Sequence, residues 1–367
     1  MAKVTFYPLG NADGTLIEFD DGKLLLKDYC NYKDPEDKND KRVDLPAELR
    51  AVLEEKDKDN LDVVAFSHCD DDHVHNAESF FWFDHADKYQ DDDRIKIKEL
   101  WVPACFILEE GLEGSAKIIR QEARHRLKKN YGIRVFGNPS ILDDWLKENG
   151  IDPKERDSLI THAGEVLNFT NAELFVHSPF SFKMEDEEVD RNGNCLVFHV
   201  TFFEGAVSTR LMLGSDTDWE SWEGIIFKTN KKGRSERLIW DIFRISHHCS
   251  YLALSSEKSK DKTEPTKLIK SLFEKGQMNC YLISSSDIIP SKDTDQPPHK
   301  QAAAYYSELA TKKNGEFLVT METPTEKNPQ KIVIEISKCG PIWRKISGIS
   351  IGVSAITSKS SPRLGEF

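Results

Sequence analysis

The stretch SHCDDDHVHN, residues 67 to 76, sets three consecutive aspartates between two histidines directly after the apolar run LDVVAF. His68, Asp70, Asp72 and His73 have the spacing H-x-D-x-D-H, and a loop at a strand end can turn such close-set side chains toward one point. Imidazole and carboxylate are donors that divalent metals take. Carboxylates packed this densely repel one another unless a cation is present, so metal binding is the simplest reason for their density. Two later stretches repeat the arrangement: LMLGSDTDW delivers Asp216 after Gly214 and Ser215, and IFRISHHCS delivers His247 and His248. A single histidine after a strand is a common surface or core feature. Three polar clusters, each at the mouth of an apolar strand, point jointly to a metal centre, which either His247 or His248 can complete. His75 lies just past the first cluster and is either a substrate contact or an ordinary surface residue. Cys69 and Cys249 sit inside two of the motifs, where a thiolate can bind metal; we expect their side chains to point away.

The elements must carry these groups to one place. The opening reads as two strands, AKVTFYPL and TLIEFDDGKLLLKDY, joined at GNADG, where Gly10 and Gly14 permit a tight turn. CNYKDPEDKNDKR reads as a charged surface loop, and LPAELRAVLEEK as a helix with Pro46 in its first turn. The strand LDVVAF follows, then IKELWVPA. Residues 105–157 read as a helical insertion that includes EGSAKIIRQEARHRLKKN. There Ile119, Ala123 and Leu127 recur every four residues beside a basic row of Lys117, Arg120, Arg124 and Lys128. Such a row is either a solvated face or a surface that contacts phosphates beside the site. From residue 160 the chain alternates strands and turns: EVLNF, AELFVHSP, NCLVFHVTFFEG and STRLMLGSD. It continues through the helix PTKLIKSLFEKG, the strand NCYLISSS, the helix HKQAAAYYSELATKK, and the strands EFLVTME and KIVIEIS. Residues 346–367, rich in serine and glycine, read as a loosely held tail.

The 367 residues include 63 acidic and 50 basic side chains, a net charge of −13, and 38% are hydrophobic, enough to bury a large core. The acidic balance argues against broad coating of nucleic acid, which rests on Lys and Arg neutralising phosphates, while leaving room for a nuclease whose basic groups are concentrated. Seven cysteines form no CxxC pair, which fits free thiols in a reducing compartment and disfavours a zinc ribbon. No stretch approaches the roughly 18 apolar residues of a membrane span. MAKVTFYPLG lacks the layout of a signal peptide, so the expected location is cytoplasmic, with no membrane partner.

The motifs together resemble the metallo-β-lactamase superfamily, and within it the ComEC-like branch of bacterial metallohydrolases, here without the transmembrane channel. SHCDDDH resembles that branch's S-H-x-D-x-D-H, in which Asp stands where most of the superfamily has a second His. LMLGSD resembles its strand ending in Gly-Asp, with Ser215 interposed, and ISHHCS its H-H-G-S, with Cys249 in place of Gly. LGNADGTLIEFDDGKLLLKD is similar to its opening hairpin, with Asp13 and Asp28 at the usual aspartates. LFVHSP, NGNCLVF and QPPHKQAAAYYSELATKKNGEFLVT extend the match, the last placing His299 near the site, although Pro298 precedes the histidine where the family's proline follows it. The resemblance spans residues 3 to 337.

It implies an α/β fold, a four-layer αββα sandwich, in one hydrolase domain over residues 1–345, with the helical insertion lying over or beside the site. It also implies His68 and Asp70 on one metal, Asp72 and His73 on a second, Asp216 bridging, and His247 or His248 completing the second site. Asp72 would orient a metal-activated water, and His299 would act on the substrate side or else pack at the N-terminus of its helix. Asp70 in place of a histidine enriches the donor set in oxygen, which shifts preference from zinc toward manganese or magnesium, while the imidazoles still suit zinc; the expected pair of divalent ions is zinc or manganese, with magnesium possible. The implied activity is that of a phosphodiesterase, a nuclease acting on DNA; the basic face of Arg120, Arg124 and Lys128, in a segment that departs from the family, and His75 would then face the substrate. The alternatives are hydrolysis of a small anion such as a nucleotide or cyclic nucleotide, or a subunit activated by partner proteins of a shared system.

Overall fold

Leu24, Leu25 and Leu26 are consecutive and all fully buried, which a strand allows only when both of its faces are covered. Leu24 and Leu26 face a layer of helices, and Leu25 faces a second sheet. The computed structural model describes residues 1–180, 184–185 and 188–345; the expected tail, 346–367, lies outside the described residues.

In chain order the strands are Lys3–Phe6 (β1), Thr15–Glu18 (β2), Leu24–Lys27 (β3), Asn60–Ala65 (β4), Lys96–Pro103 (β5), Ile133–Phe136 (β6), Ile160–Thr161 (β7), Val166–Phe169 (β8), Ala172–Ser178 (β9), Met184–Glu185 (β10), Glu188–Val189 (β11), Val197–Glu204 (β12), Val207–Leu213 (β13), Trp240–Arg244 (β14), Gly276–Ser284 (β15), Glu316–Val319 (β16), Ile332–Ser337 (β17) and Gly340–Trp343 (β18). One sheet has the order β18-β17-β1-β2-β3-β4-β5-β6-β7 and the other β16-β15-β14-β13-β12-β9-β8. Strands β3 to β7 run parallel, as do β13 to β16.

Val4, Phe6, Ile17 and Ala65 of the first sheet meet Val176, Phe198, Leu211 and Leu213 of the second in the apolar slab between them. Helices Leu45–Glu55, Gly114–Lys129 and Ser140–Glu148 cover the outer face of the first sheet through residues such as Leu49, Ile119 and Leu146. Helices Trp219–Lys231, Lys267–Glu274 and Lys300–Lys312 cover the second through Trp222, Leu272 and Tyr306. The molecule is therefore the four-layer αββα sandwich expected from its sequence. Among the described residues, no helix is long and apolar enough to cross a membrane.

Three local readings change. The second opening run divides into β2 and β3 at a turn through Gly22, which sits at φ +79°, with the Phe19 amide donating to the Lys23 carbonyl. Residues 105–157 contribute β6 to the first sheet as well as helices, so this segment widens the sheet instead of only decorating it. Helix Trp219–Lys231 was not read from the sequence, yet Asp218 caps it by accepting from the Ser221 amide, and Trp222, Ile225, Ile226 and Thr229 are buried at helical spacing.

Candidate metal centre

Three strands, each from the parallel part of its own sheet, deliver the site at their carboxyl ends, where ligand crevices form in such sheets. Strand β4 leads to Ser67 and His68, and the following turn Asp71–Val74 carries Asp72 and His73. Strand β13 leads through Gly214 and Ser215 to Asp216, and the neighbouring β14 leads to His247 and His248. Several of these residues are held in the left-handed region: Ser215 at φ +47°, His247 at +52°, His248 at +48° and Cys249 at +64°. Side chains reach that region at a cost of roughly 1 kcal/mol or more each, and such strain concentrates at functional sites. The glycine that the resemblance expects at 249 would sit there without strain, and this chain has a cysteine instead.

The ligand atoms of Asp72, His73, Asp216 and His248 all lie within 4.8 Å of one another. His73 Nε2 is 3.2 Å from Asp216 Oδ1, and His248 Nε2 is 2.9 Å from Asp72 Oδ2 and 3.4 Å from Asp216 Oδ2. Despite this proximity, His73 Nε2, His248 Nε2 and Asp216 Oδ1 are buried with no hydrogen-bond partner. Their other ends are fully engaged. His73 Nδ1 is 3.1 Å from Asp28 Oδ2, and His248 Nδ1 is 2.7 Å from the Ser285 carbonyl. These contacts hold a proton on Nδ1 in both rings and aim each Nε2 into the cluster, the orientation of a metal-binding histidine. His68 is fixed similarly: its Nδ1 is 3.0 Å from the Ser67 hydroxyl, which donates to Asp28 Oδ2 at 2.8 Å, and its buried Nε2 has no partner. Convergent, orphaned, buried donors of this kind fit a divalent cation.

The charges beneath the cluster are already balanced. Lys27 Nζ lies 2.8 Å from Asp28, and the buried Arg244 guanidinium pairs with Asp13 while donating to the Ser215 carbonyl at 2.7 Å. Asp13, Asp28 and His73 also form a compact group, but these two cations occupy its carboxylates. Asp72 and Asp216 remain, two negative charges that match one divalent ion. Burial disfavours the charged form of every group here, yet His248 and His73 hold the Asp216 carboxyl well below its ordinary range, and His73 and His248 likewise lower Asp72. In return, Asp216 and Asp72 overcome the burial of His248 and raise it to about 10, so without an ion the ring is protonated at Nε2 as well, and a divalent ion would take the place of that proton.

The structure sorts the remaining candidates. His248 joins the cluster; His247 stands outside that group, with a buried Nδ1 that has no partner. Asp70 turns away from the group toward His68 Nε2, at 3.4 Å, and toward Arg191, at 2.6 Å. His75 is half-exposed, bonded to Asp71 at 2.9 Å and packed on Tyr32. His299, expected on the substrate side, instead anchors the histidine loop: its amide donates to the Cys249 carbonyl, its Nδ1 accepts from the Tyr251 amide at 3.4 Å, and its Nε2 lies 3.3 Å from the Asp295 carbonyl. Both ring nitrogens face backbone groups, so in this arrangement the ring packs under the loop. The basic row is also corrected. Arg120 is buried and donates to the Glu109 carbonyl and to Glu110, Arg124 bonds the Ile107 carbonyl and Glu110, and Lys128 lies over the Trp145 ring. Arg120 and Arg124 thus tie helix Gly114–Lys129 to the turn before it, whereas Lys128 stays exposed beside helix Ser140–Glu148. Cys69 and Cys249 are buried in apolar clusters as expected, and burial raises both thiols. Arg244 and Lys27 lie within the IFRISHHCS and LGNADGTLIEFDDGKLLLKD motifs without a spacing that marks them, and nothing in the sequence singles out Arg191.

No family model and no curated protein matches the chain. Solved structures do. The metallo-β-lactamase fold protein YhfI from Bacillus subtilis is 12% identical, with 91% of this chain and 100% of that one covered and a TM-score of 0.39. CmlA, a diiron β-hydroxylase from Streptomyces venezuelae, is 12% identical over 90% of this chain, which spans 53% of CmlA, with a TM-score of 0.45. Unliganded yeast PDE1 is 10% identical, with 87% and 96% covered and a TM-score of 0.42. Likeness at this level concerns the layered fold alone, and a fold does not fix a chemistry.

Proposed function

We propose that the chain is a metal-dependent hydrolase that cleaves phosphodiesters. The observation that supports this reading is the set of four converging ligand atoms from Asp72, His73, Asp216 and His248, two of whose rings are locked with Nε2 facing inward. A divalent ion held there would polarise a phosphoryl oxygen and lower the pKa of a water. The protein supplies the rest. Asp216 is buried at the base of the cluster, whereas the Asp72 side chain is 28% exposed and is the carboxylate that can reach an incoming water. Ionised at neutral pH, it is placed to accept a hydrogen bond from that water and orient it toward phosphorus. The mixed oxygen and nitrogen donors suit manganese or zinc, with magnesium also admissible. A second ion would take His68 and Asp70.

DNA is the first substrate class to test, in keeping with the ComEC-like resemblance of the motifs. The engagement of Arg120 and Arg124 with Glu110 favours a shorter anion, such as a cyclic nucleotide or dinucleotide, because it removes the basic track that would guide a long backbone. Hydrolysis of single-stranded DNA, duplex DNA and a cyclic dinucleotide should be compared at equal manganese. Polymer cleavage that weakens steeply with salt supports the nuclease reading; cleavage of the short diester alone supports the second. Inertness toward all three until another protein is added would move the partner-activated reading ahead.

A further inference from the structure

Arg191 stands where the first of two family metals would find its carboxylate. Its Nη1 is 2.6 Å from Asp70 Oδ1, while its Nε and Nη2 both reach Glu109 Oε1, at 2.9 and 2.6 Å. The far oxygen of Asp70 lies 3.4 Å from His68 Nε2. Asp70 is therefore spanned between an imidazole and a guanidinium, and a planar guanidinium held by three bonds is a strong, directional partner. Among the described residues nothing comparable competes for the other carboxylates: Asp72 and Asp216 have imidazoles at close range, with Arg244 Nη1 3.8 Å from Asp216. The charges sort the same way. Asp72 and Asp216 retain two negative charges for one divalent ion, whereas Asp70 shares the single positive charge of Arg191 with Glu109.

We infer that Arg191 is a resident cation that competes with metal for Asp70, so that the chain loads one ion tightly at Asp72, His73, Asp216 and His248 and a second, at His68 and Asp70, only after Arg191 is displaced. An anionic substrate can do this, because a phosphate offers the guanidinium the same bidentate partner as a carboxylate. Substrate and second ion would then arrive together. This inference rests on the metal reading above, and the test separates the two.

The full chain is stripped of metal, reloaded with manganese and passed through a desalting column, and the retained ion is counted by mass spectrometry; the weaker binding is followed by calorimetry. One retained ion per chain is expected for the wild type. Arg191→Met is expected to bind the second ion at least about ten-fold more tightly, the scale of one lost charge-assisted pair. Asp70→Asn, which keeps the shape of the side chain, is expected to leave the tightly held ion in place. Two ions held with equal affinity in both wild type and Arg191→Met would overturn the inference, as would loss of the tight ion in Asp70→Asn. If Arg191→Met does not fold, Asp70→Asn and the wild-type stoichiometry still decide. A wild type that retains no ion refutes the metal reading itself.

Discussion

At the scale of single residues, the site works through what holds the ligands as much as through the ligands. Asp28 accepts from the Ser67 amide at 2.6 Å and the Ser67 hydroxyl at 2.8 Å, pairs with Lys27, and fixes the His73 proton. Although burial works against its charge, Lys27 and His73 keep its carboxyl well below the ordinary range. Asp28→Asn keeps the volume but removes the charge that orients His73 and neutralises Lys27. Manganese affinity, measured against a chromogenic chelator, should fall about ten- to a hundred-fold, with a stability loss of about 3 kcal/mol or more from an unpaired buried lysine. Unchanged affinity would mean that Asp28 serves the fold alone. The converging His and Asp side chains are legible in the sequence because metal binding would demand particular types at particular spacings. The partners are not: a lysine next to an aspartate, or an arginine over a hundred residues away, looks like any surface charge until the fold buries it.

At the scale of elements, two sequence features set the geometry. Gly214 ends β13 where a Cβ would meet Ser246 Oγ at 2.3 Å, the Trp222 ring at 2.9 Å and the Arg244 carbonyl at 3.2 Å. Gly214→Ala must therefore push apart the two turns that carry Asp216 and His248. It should cost about 1–3 kcal/mol in urea unfolding and weaken metal binding together with stability; a variant as stable as wild type would show that the turns can separate freely. Strands β9 and β12 each bury a histidine. His177 Nε2 donates to the Arg237 carbonyl at 3.0 Å and His199 Nε2 to the Ile239 carbonyl at 2.8 Å. Burial holds them down, to about 3 and about 4. Below the ordinary value of 6.5 the unfolded chain takes up protons that the folded chain refuses, so stability falls as pH drops from about 6.5 toward 4. The slope is about 1.4 kcal/mol per pH unit for each histidine. Replacing His199 with glutamine should remove one proton from that slope in urea titrations between pH 7 and 4.5, and an unaltered slope would assign the acid limb elsewhere. Periodicity revealed most of these strands and helices. It missed helix Trp219–Lys231 because its apolar residues follow directly on the Gly-Ser-Asp turn, and it read residues 105–157 as helical because the short strand β6 carries little pattern of its own.

At the scale of the whole molecule, two sheets bring stretches more than 140 residues apart to one edge, β4 from one layer and β13 and β14 from the other. The sequence showed that each stretch ended a buried strand, and the resemblance implied that they meet. Only the assembled sandwich shows that Asp70 turns outward to Arg191, that His299 packs under the histidine loop, and that Arg120 and Arg124 pair with Glu110. The measurement that bears most directly on a metal-dependent phosphodiesterase is hydrolysis of a chromogenic phosphodiester by metal-free protein, with and without added manganese, beside Asp216→Asn. Turnover that appears on adding manganese, disappears with chelator and falls by at least about a hundred-fold in Asp216→Asn is the expected result. Metal-independent turnover, or an Asp216→Asn protein as active as the wild type, would contradict it.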